Sequence, residues 1–364
     1  MTTDAVLVTG ALGLVGTAVV RRLVEEGRHV VATDLDVPDN RKRARGLLRS
    51  GQVEVHWADL TDVGAVDTLV MEVDPGAIIH LAAVIPPVCY TRRNLARMVN
   101  VDATKSLVRA ASALPSPPRF VLASSVAVYG ARNPHRGTAL LTATTPVDPC
   151  DLYGAHKVEA EQALRSSGLE WVILRLGGVM TPVPRSDVGQ DMVYFEGLLP
   201  VDGRIQTVDV RDVASAFARA TTTGATKEVL LIGGDDSHRV VQGALGSAMA
   251  GAMGLVGVLP PGRPGDPDSD RDWFTTDWMD TVRAQEVLSF QHHSLPDMFA
   301  ETRDEVGWRR WPLRAAAPIM RAYVRSRSPY RHRTDVYADP WGTINRKWGD
   351  PSPDGAQGVS APTR

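Results

Sequence analysis

Tyr153 and Lys157 stand four residues apart in Tyr153-Gly-Ala-His-Lys157, on a stretch that reads as a helix through Glu161 and Leu164. Residues i and i+4 share one helix face, so phenol and ammonium project into the same space. A lysine cation favours the phenolate and is expected to lower the tyrosine pKa from about 10 toward the range of a general acid/base. Upstream, Phe120-Val-Leu-Ala-Ser124-Ser125 ends an apolar run on two hydroxyls. If that run is a parallel strand, they lie at the sheet edge where open α/β sheets place their ligands. Each piece alone is common, since a Tyr/Lys pair also decorates ordinary helices and a serine also serves as a cap.

A second group opens the chain. Thr9-Gly10-Ala11-Leu12-Gly13-Leu14-Val15-Gly16 joins a short β-branched run to a helical stretch. Gly10 allows a tight turn, Gly13 lets the backbone approach a pyrophosphate, and Gly16 lets helix and strand pack closely, with free helix N–H groups facing the anion. Asp34 follows at the end of the next apolar run, 18 residues past Gly16, where a carboxylate accepts both ribose hydroxyls of an adenosine. It also repels a 2′-phosphate, which favours NAD over NADP. Arg41, Lys42, Arg43 and Arg45 follow closely; they could reach a phosphate, or form a solvated helix face.

The elements that must position these groups are seven apolar runs separated by helical stretches: Val6 to Thr9, His29 to Asp34, Val53 to Asp59, Ala77 to Ala82, Phe120 to Ser124, Trp171 to Leu174 and Val229 to Ile232. Continuous apolar strands alternating with helices predict a parallel sheet covered on both faces, a doubly wound α/β fold. After Arg175 the alternation loosens among Pro182, Pro184, Pro200 and the Pro260 to Pro267 segment, which predicts a smaller substrate-covering lobe. The uncharged stretch between Arg239 and Arg263 is long enough to span a membrane but too rich in Gly and Pro. A helix from about Ser237 to Met253, stopped by Gly254, is expected instead.

In order along the chain, TGxxGxxG, Asp34, Asp59-Leu60, His80-Leu-Ala-Ala83, Asn100-Val-Asp-Ala-Thr104, Ser124-Ser125-Val-Ala-Val-Tyr129-Gly130 and YxxxK resemble the extended short-chain dehydrogenase/reductases, the NAD-dependent epimerase/dehydratase family. The resemblance covers residues 4 to about 305 and continues through Arg175, Val208 to Ala214 and Asp280 to Leu288. It implies a doubly wound (Rossmann) NAD-binding domain over 1–176 and 204–236 and a substrate-binding lobe over 177–203 and 237–305. Residues 306–364 form a basic, Trp-containing extension outside it, with a disordered end. It implies Tyr153 as the acid/base, Lys157 as its tuner and ribose ligand, and Ser125, rather than Ser124, as the hydrogen-bond donor to the reacting oxygen. The implied cofactor contacts are Thr9, Gly10, Leu12, Gly13, Leu14, Val15, Gly16, Asp34, Asp59, Leu60, Leu81, Ala82, Ala83, Asn100, Tyr153 and Lys157. Asn100 could equally be structural. No metal is implied.

Nucleotide-sugar members typically continue the sixth strand with a pattern like R-x-x-N-V-Y-G-P. Here Gly178 and Met180 replace the polar and aromatic residues of Arg175 to Pro182, and Ile205 stands where a diphosphate-clamping arginine would fall. Without charge-assisted donors a buried diphosphate is poorly held, unless Arg185 or Arg204 substitutes. Val179, Met180, Val183, Met192, Tyr194 and Phe195 suggest an apolar pocket, or ordinary core. The expected reaction is reversible NAD-dependent oxidation of a secondary alcohol. An NDP-sugar epimerase or dehydratase is the alternative, and an NAD-binding scaffold without turnover is a third reading.

A formal net charge of −2 gives no whole-molecule field to draw in nucleic acid. Cys89 and Cys150 lack metal or disulfide spacing, and with no secretion signal the expected location is the cytoplasm. From Glu301 to Lys347 eleven Lys/Arg outnumber five acids. Packing within a homodimer is favoured over an anionic membrane surface, because Pro312, Pro318 and Pro329 should interrupt any long amphipathic helix.

Overall fold

A computed structural model describes residues 5–48, 51–184, 190–331 and 333–355. Seven strands carry the framework: β1 (Ala5–Thr9), β2 (His29–Asp34), β3 (Val53–Trp57), β4 (Ala77–His80), β5 (Arg119–Ser125), β6 (Trp171–Leu176) and, later, β9 (Glu228–Ile232). They form one parallel sheet in the order β3-β2-β1-β4-β5-β6-β9. All seven apolar runs are strands of this sheet. Val6, Leu7, Val8, Ile78, Ile79, Val121, Val172, Ile173 and Ile232 are fully buried, as strands covered on both faces require.

Helices cover the two faces. On one lie α1 (Leu14–Glu25), α2 (Pro38–Leu47) and α9 (Val210–Ala220); on the other lie α3 (Val63–Val73), α6 (Ala103–Ser112) and α7 (Leu152–Arg165). Two short helices, α4 (Val88–Thr91) and α5 (Arg93–Arg97), lead into a π-helical turn at Met98–Asp102. Strand order reverses between β1 and β4, the switch point that opens a crevice above the carboxyl ends of the strands.

A second, three-stranded sheet holds β7 (Gly178–Met180), β8 (Arg204–Asp209) and β10 (Arg239–Val241). β8 pairs in parallel with β7 and antiparallel with β10, so residues 204–209, expected with the nucleotide-binding domain, join the smaller sheet. The helix α8 (Gln190–Leu198) precedes β8. Next to β10 comes α10 (Gln242–Ala252), which ends at a left-handed Gly254 (φ +89°) as expected. It starts five residues later than expected, because residues 239–241 find a strand partner in β8. Two helices, α11 (Val282–Leu288) and α12 (Leu295–Val306), complete this part. Of the expected pocket residues, Val179 packs on the main core and Met180 on Leu245, Leu295 and Met298. They are ordinary core.

The described residues of the extension run through 355 with a break at 332, and the end expected to be disordered lies largely outside the described residues. Here α13 (Arg310–Ser326) runs 17 residues through Pro318, contrary to the expectation that proline would break it. Pro312 lies in the first turn, where no N–H donor is needed, and Pro318 removes one bond within an exposed helix led by the strong helix former Ala315-Ala316-Ala317. Pro329 follows the helix end. After it, α14 (Pro340–Trp348) folds back onto α4 and α8. Among the described residues no helix is long and apolar enough to cross a membrane.

Candidate active site

The glycine-rich turn occupies the crevice at the end of β1. Gly10 has φ +64°, and a Cβ there would lie 2.8 Å from the Ala82 nitrogen. At Gly16 a Cβ would lie 2.1 Å from the Gly10 oxygen. Both glycines are therefore required by the chain itself. Gly13 differs, for a Cβ would meet only the Gly10 oxygen at 3.4 Å. The space beside Gly13 is open, and α1 starts there with no side-chain cap, leaving first-turn N–H groups of Leu14, Val15 and Gly16 free for an anion. Gly16→Ala is expected to lower the unfolding free energy by about 1–3 kcal/mol, because only backbone could yield; urea unfolding measures it.

Asp34, at the end of β2, reaches across this turn. Its carboxylate accepts from the Leu12 amide (3.0 Å), the Leu35 amide (2.9 Å) and Asn40 Nδ2 (3.1 Å). Arg43 donates to the Leu12 carbonyl, while Arg41 pairs with Asp36. Asp59 closes its own turn, accepting from the Thr61 amide and hydroxyl, and Leu60 packs in the core beside Ala82.

The segment Leu81 to Ala83 is held by a buried chain of hydrogen bonds that sequence reasoning did not anticipate. The Thr104 hydroxyl donates to the Asn100 carbonyl (3.0 Å), so it accepts from His80 Nε2 (2.9 Å). His80 Nδ1 then accepts from Thr9 Oγ1 (2.7 Å), whose lone pairs take the Leu81 and Ala82 amides (3.3 and 3.4 Å). Burial pulls the His80 pKa down to about 3, so this tautomer stays neutral. Asn100, in the π-helical turn, clamps the next residue from both sides: its Oδ1 accepts from the Val84 amide and its Nδ2 donates to the Val84 carbonyl. Its side chain is thereby committed to the loop.

Tyr153, Lys157 and Glu161 follow one another at four-residue spacing along α7. Asp151 caps the helix, accepting from the Tyr153 and Gly154 amides (3.2 and 3.0 Å) and from the Tyr90 hydroxyl (2.8 Å). Lys157 Nζ lies 5.7 Å from the centre of the Tyr153 ring and donates to the Ala123 carbonyl (2.8 Å). Ser125 is a hydrogen-bonding neighbour of the Tyr153 phenol. The three side chains expected to act together are therefore in one place, at the carboxyl edge of β5.

The electrostatics differ from the expectation. Burial pushes the Tyr153 phenol well above its ordinary value, with Cys89 and Asp151 adding to the effect and Ser125 only partly offsetting it. The expected lowering by Lys157 is absent: burial is the largest effect on Tyr153, and burial also pulls Lys157 itself down to about 8. Desolvation outweighs the charge here.

The neighbouring Ser124 is buried, and its hydroxyl donates to Glu161 (2.6 Å). Glu161 also takes two bonds from Arg175 (2.9 and 2.7 Å), which donates to the Tyr129 hydroxyl (2.7 Å). Burial disfavours the Glu161 carboxylate, yet these donors hold it below the usual range. Ser124 is thus spoken for, whereas Ser125 remains half-buried at the edge.

Tyr153 adjoins a cluster rich in aromatic rings. It packs at the margin of a buried cluster that includes Cys89, Tyr90, Leu152, Phe195 and Trp348, and Tyr194, Phe274 and Trp341 pack on the same cluster. Phe195 is buried in this cluster and Tyr194 packs on it; Trp341 and Trp348 come from the extension, which no local signal ties to this site. The same extension grips α7: Pro351 accepts from the Leu152 amide (2.7 Å), and Asp354 meets His156 (3.1 Å) and Arg93 (2.8 Å). Val183 is exposed, Met192 is half-buried, and Arg185 lies outside the described residues. Arg204 stacks on Trp278 and donates to the Pro134 and Gly137 carbonyls.

Comparisons with known proteins identify relatives of the chain and of its fold. D-erythronate dehydrogenase of Cupriavidus necator is 31% identical over 170 residues, 44% of this chain and 49% of that protein, so the match spans about half the length of that relative. UDP-glucose 4-epimerase of Mycolicibacterium smegmatis is 30% identical over 315 residues, 78% of this chain and 92% of that protein. The fold matches the crystal structure of Thermus thermophilus UDP-glucose 4-epimerase complexed with NAD at a TM-score of 0.66 and 24% identity, over 83% of this chain and 98% of that one. Residues 6–233 match the family model described as NAD dependent epimerase/dehydratase. With that match and the switch-point architecture together, the chain belongs to the NAD dependent epimerase/dehydratase family, among the extended short-chain dehydrogenase/reductases.

Proposed function

We propose that this protein is an NAD-dependent oxidoreductase that reversibly converts a secondary alcohol to a ketone on a small, mostly apolar substrate. The observation that carries the reading is the setting of Tyr153, which packs on a buried cluster rich in aromatic side chains while Arg204 is tied to Trp278 and neighbouring carbonyls. An apolar setting with few charged donors suits a hydrophobic carbinol better than a diphosphate.

The residues present fit NAD. The open space beside Gly13 and the free N–H groups at the start of α1 suit a pyrophosphate, and the Asp34 carboxylate at the end of β2 suits the adenosine ribose. Thr9, Gly10, Leu12, Asp59, Leu60 and Leu81 to Ala83 surround that path, with Asn100 acting through its clamp on Val84. When bound, NAD supplies the hydride acceptor. Ser125 holds the substrate oxygen, and Tyr153 takes its proton in oxidation or returns it in reduction. Lys157, anchored by Ala123, orients the ribose and Tyr153. Asp34→Ala is expected to weaken NAD binding about 10- to 100-fold through loss of charged hydrogen bonds, and to weaken NADP binding less; titration with each nucleotide checks it.

A second reading, an NDP-sugar epimerase or dehydratase with recycled NAD, draws on the similarity to UDP-glucose 4-epimerase. A panel of secondary alcohols and UDP-sugars with NAD separates the two. Accumulating reduced-nicotinamide absorbance with an alcohol supports the proposal. Sugar isomerisation without net absorbance overturns it.

A further inference from the structure

The extension holds a surface that the active site does not use. On α13 the inner residues Leu313, Ala317, Met320 and Val324 recur at helical spacing and face the protein, half-buried or buried. The opposite side is also apolar. Trp308, just before the helix, and Trp311, Ala315, Ile319, Ala322 and Tyr323 recur every three or four residues along the outside. Trp308, Trp311 and Ile319 are 76%, 73% and 77% exposed. Arg321, on the flank of the helix, donates to the Gly257 and Val256 carbonyls, and Val256 is itself exposed.

Charge on this segment is one-sided. Between residues 306 and 334 there are eight arginines and no aspartate or glutamate, in a chain whose net charge is −2. Arg310, Arg314, Arg321 and Arg325 fall at spacings of four, seven and four, a row along one flank of the apolar stripe. Arg263, Arg325 and Arg331 line an open depression with Ser326 and Ser328 at the end of the helix. Arg263 and Arg333 meet Asp335, but Arg309, Arg310, Arg314, Arg321, Arg325, Arg327 and Arg331 have no carboxylate partner among the described residues.

We propose that α13 docks this protein onto an anionic lipid surface, with the Trp308, Trp311 and Ile319 row entering the headgroup boundary and the arginine flank meeting lipid phosphates. Tryptophans on one face and arginines beside them are what an interfacial helix needs. A second copy of the chain fits less well. Antiparallel two-fold pairing through this helix would set one arginine row against its twin, with no acid between residues 306 and 334 to relieve it. The docking requires a helix continuous through Pro318, which the structure has.

The test is co-sedimentation of the full chain with vesicles of phosphatidylcholine alone or mixed with phosphatidylglycerol, at low and high salt. Pelleting is expected only with the anionic mixture, weakening as salt rises. Arg314→Glu or Arg325→Glu should reduce partitioning about fivefold each, and Trp308→Ala/Trp311→Ala/Ile319→Ala about tenfold or more. The thermal midpoint should not move, because the substituted side chains are exposed. Equal binding to both vesicle types, or to neither, overturns the proposal. A fall in sedimentation-velocity mass in the triple variant, without vesicle binding by the parent, would make α13 a seam between copies and would overturn it too.

Discussion

Replacing Tyr153 with phenylalanine is expected to lower turnover about 10²- to 10⁴-fold, the usual weight of a positioned general acid/base, while NAD affinity changes little. Phenylalanine keeps the ring that packs on the buried cluster and removes only the hydroxyl beside Ser125. The raised phenol adds a pH signature. In the free chain Tyr153 holds its proton at neutral pH, so it is ready to donate to a ketone but must lose that proton before it can accept one from an alcohol. Oxidation should therefore speed up as pH rises from neutral, whereas reduction should not. Turnover by Tyr153→Phe within about tenfold of the parent would remove Tyr153 from the proton transfer.

The second large effect is on stability. Glu161→Ala leaves the Arg175 guanidinium, 2% exposed, without its carboxylate and frees the Ser124 hydroxyl. Breaking a buried pair from one side costs about 3–5 kcal/mol, read from guanidinium unfolding. Glu161→Leu combined with Arg175→Met should recover most of that loss, because an apolar pair leaves no buried charge. If Glu161→Ala unfolds at the parent's midpoint, the network behind Ser124 and Ser125 does not hold the β5 edge.

Much of the framework was legible because it rests on local chemistry. Strands buried on both faces must be continuous apolar runs, so all seven could be read directly. The glycines of the first turn were legible because close backbone contacts at Gly10 and Gly16 admit no side chain. Tyr153 and Lys157 were legible from helix periodicity, and Glu161 extends the same spacing one turn further. The small sheet was less so, since β7 and β10 are three residues long and take their register from β8. The direction of the Tyr153 shift depends on burial, which spacing does not reveal. The path of α13 through Pro318 depends on tertiary support along its inner face, and the placing of Trp341 and Trp348 in the cluster that Tyr153 adjoins depends on contacts across nearly two hundred residues.

The site's central claim is that the phenol and ammonium of α7 face a nicotinamide held by the turn at Gly10 to Gly16. A crystal structure of the protein with NAD tests this most directly. Expected there are the pyrophosphate against the amides at the start of α1, a ribose on Asp34, and the nicotinamide end within about 3–3.5 Å of Tyr153 or Lys157. Nicotinamide turned away from α7, or NAD bound outside the β1–β4 crevice, would contradict it.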